Sequence, residues 1–169
     1  KVATGEKALT TIELINVGSG ATVTLNKDDG IAETIKLAAQ ANKVTITGFN
    51  KDDKINLQAL SLSNMSTASD TTVSSTATTS FAGEKVYKVE TINKAAASIE
   101  FSDLFGDSKA FATTGATSSK HGLIVAKGSD NNYAIFSVKN GADTTIASTE
   151  VNLIATVDTE VGATNFTFA

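Results

Sequence analysis

The residues of this chain best suited to chemistry are carboxylates and amides in three short clusters: Asp28 with Asp29, Asp52 with Asp53, and Asp130 with Asn131 and Asn132. Calcium takes about six to eight oxygen ligands, and turns rich in Asp and Asn supply them from side chains and backbone carbonyls together. Asp28, Asp29, Asp52, Asp53, Asp130 and Asn132 are therefore the expected calcium ligands, with Asp143 and Asp158 as neighbours. Adjacent carboxylates repel one another, and a cation between them relieves that repulsion. The competing reading is that Asp and Asn stand at these positions because both tolerate tight turns and bond their own backbone. The phrase Asn-Lys-Asp-Asp occurs twice, at residues 26–29 and 50–53.

Other chemistries lack their residues. The chain has no cysteine, which removes disulfides, thiolate metal sites and thiol nucleophiles. Its single histidine, His121, cannot build a typical zinc or copper site alone, and Lys120-His121-Gly122 is not the flank of an activated serine. With two tyrosines and no tryptophan, little is available to stack on a sugar in a hydrolase cleft. Gly18-Ser19-Gly20 lacks the lysine and helix of a phosphate loop. The expectation is that the chain is not an enzyme. All its basic residues are lysines and the formal net charge is −4, which argues against nucleic acid as a partner.

The clusters must be held by strands. Short runs alternate apolar and polar residues at 11–17, 21–25, 33–37, 43–47 and 54–57, separated by Gly, Asn or Asp. With the duplicated phrase they suggest a repeat of roughly 24 residues carrying two strands, as in one coil of a roll, although a meandering sheet gives a similar trace. Residues 61–82 are mostly hydroxyl-bearing and small, and read as a long loop or as Thr-rich edge strands. Strands resume at 85–92, 121–127, 133–139, 151–157 and 165–169, with a Gly-Ser-Asp-Asn-Asn turn at 128–132 and an Asn140-Gly141 turn signal. One short helix is expected near 102–111, capped by Ser102, with Leu104, Phe105 and Phe111 inward. The expected fold is all-β: a short-stranded β-roll or β-sandwich over residues 1–60, the Ser/Thr-rich stretch 61–82, and a C-terminal antiparallel sheet with the helix over 83–169. Two triplets, Asn64-Met-Ser66 and Asn165-Phe-Thr167, have the form of glycosylation sequons.

Residues 44–60, Val-Thr-Ile-Thr-Gly-Phe-Asn-Lys-Asp-Asp-Lys-Ile-Asn-Leu-Gln-Ala-Leu, resemble the I-T-x-F-x-x-x-x-D-K-I-D-L-x-x-L segment that closes the calcium β-roll in many RTX proteins. Residues 124–138, 147–157 and the ending Ala163-Thr-Asn-Phe-Thr-Phe-Ala169 resemble the extreme C-termini of surface-layer, adhesin and RTX-like proteins exported by bacterial type I secretion. The resemblance implies an extracellular or cell-surface protein whose uncleaved C-terminus is its export signal. The chain departs from that family in two ways. It lacks the calcium-binding nonapeptide G-G-x-G-x-D-x-U-x, and Asn56 stands where the family commonly has Asp. The export and assembly implication depends on neither.

Lys1-Val-Ala-Thr-Gly5 has no apolar core of a signal peptide, so that signal was removed or lies elsewhere, and no apolar run is long enough for a spanning helix. The uncharged ending at Phe166 and Phe168 alternates like an edge strand. It either completes the domain's own sheet or, like the segment 8–15, adds to a neighbouring copy. The expected function is a structural subunit of a self-associating surface layer, filament or matrix, with calcium as the expected cofactor and a cell-surface glycan as a further partner. The alternatives are an adhesin or glycan-binding module, and the C-terminal secretion domain of a larger protein.

Overall fold

The computed structural model describes residues 11–28, 30–62, 65 and 69–168, those of 11–15 by their backbone alone. Its strands are β1 (Thr11–Val17), β2 (Thr22–Thr24), β3 (Ala32–Leu37), β4 (Val44–Thr47), β5 (Lys54–Asn56), β6 (Ser69–Val73), β7 (Lys85–Val89), β8 (His121–Lys127), β9 (Tyr133–Lys139), β10 (Val151–Val157) and β11 (Phe166–Thr167). They form a four-stranded sheet in the order β1-β3-β5-β11 and a seven-stranded sheet in the order β2-β4-β10-β9-β8-β7-β6. Every pair in the smaller sheet is parallel. In the larger sheet only β9 runs against its neighbours. The predominantly β expectation holds.

From β1 to β5 the chain alternates between the two sheets, laying each pass beside the one before. Parallel pairing sets like on like: Ile35 aligns with Ile55 and Ile55 with Phe166, so side chains of one face form columns pointing inward. The alternation read from the sequence reappears as burial, with Glu33, Ile35 and Leu37 inside along β3. Ile35, Leu37, Ile55 and Leu57 of the smaller sheet meet Val44, Ile46, Ala155 and Val157 of the larger in one core. Burying each large aliphatic side chain contributes about 1.5–3 kcal/mol, so the columns outweigh any single turn contact.

After β5 the chain leaves this stack and builds the rest of the larger sheet before returning. Strand β10 then fills the place beside β4, and β11 the place beside β5. The C-terminal antiparallel pairing is present in β8–β9–β10, but the larger sheet continues through β10 into β4 and β2 without a break. Strands β8 and β9 are buried on both faces. Leu123 and Val125 enter the first core, whereas Ile124 and Ala126 enter a second. Aromatic rings anchor the second core: Phe81, Tyr87, Phe105 and Phe111 lie with centroids 5.1–6.1 Å apart.

The expected helix is shorter than its sequence signal. Helix α1 covers Phe101–Leu104 only, because Phe105 turns extended and Gly106 takes φ +133°. Its first turn is closed at Glu100, whose N–H donates to the Asp103 carboxylate at 2.9 Å, not at Ser102. Leu104, Phe105 and Phe111 are buried as expected. Of the Thr-rich stretch, residues 69–73 form β6 at the edge of the larger sheet. Asn64 lies outside the described residues.

Candidate functional site: corner carboxylates, open edges and a polar groove

The duplicated Asn-Lys-Asp-Asp phrase occupies two corners where the chain passes from the larger sheet to the smaller. At each corner the Asn side chain folds back on its own turn. Asp52 N–H donates to Asn50 Oδ1 at 2.8 Å, and Asp28 N–H to Asn26 Oδ1 at 3.3 Å. Both turns are the Asx type that these residues favour. Asp28 and Asp52 are exposed, and Asp52 accepts from Lys51 Nζ at 2.9 Å. Asp29 lies outside the described residues.

Asp53 behaves differently from Asp52. It is fully buried, and its two oxygens accept from Glu33 N–H at 2.9 Å and Asn50 N–H at 2.7 Å. One carboxylate therefore closes its own corner and ties it to the preceding pass. Asp158, exposed in the turn between β10 and β11, ties its turn to the β4–β5 corner: Gly48 N–H donates to it at 2.7 Å and Phe49 N–H at 3.3 Å. Asn165 completes the series, its amide donating to Lys51 C=O at 3.2 Å and Asp53 C=O at 3.1 Å. That amide nitrogen, the acceptor atom of a glycosylation sequon, is buried in the corner stack. Asn56 bonds locally too, with Gln58 N–H donating to its Oδ1 at 3.0 Å.

The β8–β9 turn brings Asp130 and Asn132 together. Asp130 Oδ1 accepts from Ala96 N–H at 3.1 Å and Asn132 N–H at 3.3 Å, and Oδ2 from Asn132 Nδ2 at 3.0 Å. Burial pushes its pKa upward, but these donors outweigh burial and hold the carboxyl below its usual range. Asp143 is exposed and accepts from Thr145 N–H at 2.9 Å. Among the described residues, no three His, Cys, Asp or Glu side chains converge as a metal ion would need. His121 sits opposite Lys139 at the start of β8, and burial first, then that lysine, lowers its pKa.

The residues expected to drive assembly are placed as follows. Phe166 pairs in β11 with Ile55 and is buried, and Phe168 packs half-buried against the same core. Of the other expected segment, residues 8–10 lie outside the described residues and the remainder falls in β1, an edge of the smaller sheet. The larger sheet ends in β2 on one side and β6 on the other, and neither outer edge pairs with a described strand. The sequence marked residues 21–25 as a strand without showing that it lies outermost, since a strand's neighbours are fixed by the fold.

A groove of about 280 Å³ lies on the larger sheet beside the β10–β11 connection. Val125 forms its floor, and Lys88, Glu90, Lys127, Tyr133 and Glu160 surround it. Lys88 pairs with Glu160, and the pairing raises the lysine's pKa. Compared with protein-family models, curated proteins and solved structures, the chain matches none.

Proposed function

We propose that this chain is an extracellular structural subunit that associates with copies of itself, exported by a type I system. The observation that carries this reading is that, among the described residues, the two β-sheets end in unpaired strands, β1 and β2 on one side and β6 on the other. An unpaired strand presents a row of backbone donors and acceptors, which another copy can satisfy by strand addition. Parallel passes that alternate between two sheets also support the roll over the sandwich among the expected architectures. The likeness of residues 44–60 and of the C-terminal segments to type I export substrates supports the location.

Electron microscopy of the purified protein, with millimolar calcium and with chelator, tests the reading. Ordered sheets or filaments are expected, and their loss on chelation would make calcium the switch. A protein that stays monomeric in every condition overturns self-assembly.

The groove favours a second reading, a glycan-binding module. Alternating lysines and glutamates offer paired donors and acceptors to vicinal hydroxyls, and Tyr133 offers a ring face. Saturable oligosaccharide binding that Tyr133→Ala abolishes would establish it.

A further inference from the structure

The two outer strands of the larger sheet, unpaired among the described residues, also have a defined direction. Strands β2, β4 and β10 are mutually parallel, as are β6, β7 and β8. Strand β9 is antiparallel to both β10 and β8, so these two groups run the same way. Counted along the sheet, β2 and β6 therefore point in one direction.

The backbone groups at each edge follow from the bonds inside. Ala21 C=O accepts from Thr45 N–H, and Leu25 N–H donates to Thr47 C=O, both at 2.8 Å. Successive residues of a strand alternate sides, so Thr22 and Thr24 aim their N–H and C=O outward. On β6, Val73 C=O accepts from Glu90 N–H at 3.1 Å, which leaves Asp70 and Thr72 aimed outward. Side chains sort with them. Val23 faces the first core and Val73 the second, so Thr22 and Thr24 share a sheet face with Thr71.

Charge and proline usually block pairing, and the two edges together carry one charge and no proline. Residues 18–25 hold no charge and no proline. On β6 the only charge is Asp70, whose carboxylate is turned onto Ala163 N–H at 2.7 Å.

Building on the self-association reading, we propose that copies of this chain join head to tail, with β6 of one adding to β2 of the next. The occupant of each edge is a second copy of the chain. Only this pairing continues the sheet with strands parallel and the same face on the same side. Pairing β2 with β2 either reverses a strand or inverts the faces. A heterologous contact closes into a ring only if its rotation returns on itself; here each copy advances along the continued sheet, so the contact repeats into a filament. With seven strands per copy, the rise is about 34 Å per subunit at roughly 4.8 Å per strand. The strand-to-strand twist winds the fibre.

The chain has no cysteine, so single cysteines report cleanly. Thr24→Cys and Thr71→Cys variants are prepared separately and treated with a short bis-maleimide, alone and mixed. The expected result is a covalent dimer in the mixture only. Linkage within either variant alone means a two-fold contact and overturns the head-to-tail arrangement while self-association stands. Assemblies that form without any linkage in the mixture overturn it equally. A protein that sediments as a monomer throughout overturns the self-association reading and this inference with it. Thr24→Pro removes an N–H aimed at solvent, so its circular dichroism should stay native while the concentration needed for assembly rises about two- to tenfold, the equivalent of one lost edge hydrogen bond. An unchanged assembly concentration overturns the assignment of the β2 edge.

Discussion

The adjacent Asp52 and Asp53 have opposite fates, and burial decides which. Asp52 reaches solvent and a flexible lysine, an interaction worth little. Asp53 is enclosed and accepts from two backbone N–H groups, Glu33's buried and Asn50's part-buried, taking the place of water for both. Asp53→Ala should therefore destabilise the fold by about 1–3 kcal/mol, read as a lower urea midpoint, because it strands both donors. Asp52→Ala should change stability by less than about 0.5 kcal/mol. His121 gives a pH signature. Its pKa is depressed in the folded chain, so the unfolded chain takes up the proton first as pH falls past about 6.5. The associated stability is present above that value and is lost as pH falls toward the folded pKa. Unfolding followed from pH 8 to 5 should show that loss, and His121→Gln should flatten it.

At the scale of elements, the corners between sheets are as constrained as the strands. Gly48 holds φ +73°, and a Cβ there would lie 2.2 Å from Leu25 C=O of the preceding corner. Two costs coincide, a left-handed backbone and a backbone neighbour that cannot rotate away. Gly48→Ala should cost more than about 1 kcal/mol in thermal or chemical unfolding. The same replacement at Gly18, where nothing lies within 4 Å and φ is not positive, should be close to neutral. A corner that tolerated Gly48→Ala would mean that successive passes do not touch there.

For the whole molecule, the decisive strand is β10. It lies between β4 and β9, so the N-terminal passes and the C-terminal hairpin share one sheet and neither has a complete set of partners alone. Asp158 bonds Gly48 and Phe49 across more than a hundred residues, and Lys54 Nζ reaches Thr164 C=O at 2.9 Å. Calorimetry should therefore give one cooperative transition for residues 11–168, not separate ones for residues 1–60 and 83–169. Removing residues 151–169 should abolish that transition for the N-terminal passes as well. Two resolved transitions would show that the shared sheet does not couple the halves.

The strands themselves were legible in the sequence because period-two alternation is local. The runs at 11–17, 33–37, 121–127, 133–139 and 151–157 reappear within a residue of their bounds. Turn chemistry is local too, so turns fall at 27–28, at 51–52 and within 128–132, where Asn, Asp and Gly stand between strands. Parallel pairing is not local, since nothing in Val151-Asn-Leu-Ile-Ala-Thr-Val157 tells that strand to lie beside Val44–Thr47. For the same reason the sequence could not separate Asp53 from Asp52, or reveal that Asn165 bonds the corner of β5, or single out β2 as an outer strand. By itself the sequence determined which segments extend and where they turn. Only the tertiary structure decided which segments meet, because columns such as Ile35, Ile55 and Phe166 gain their burial energy from residues far apart in the chain.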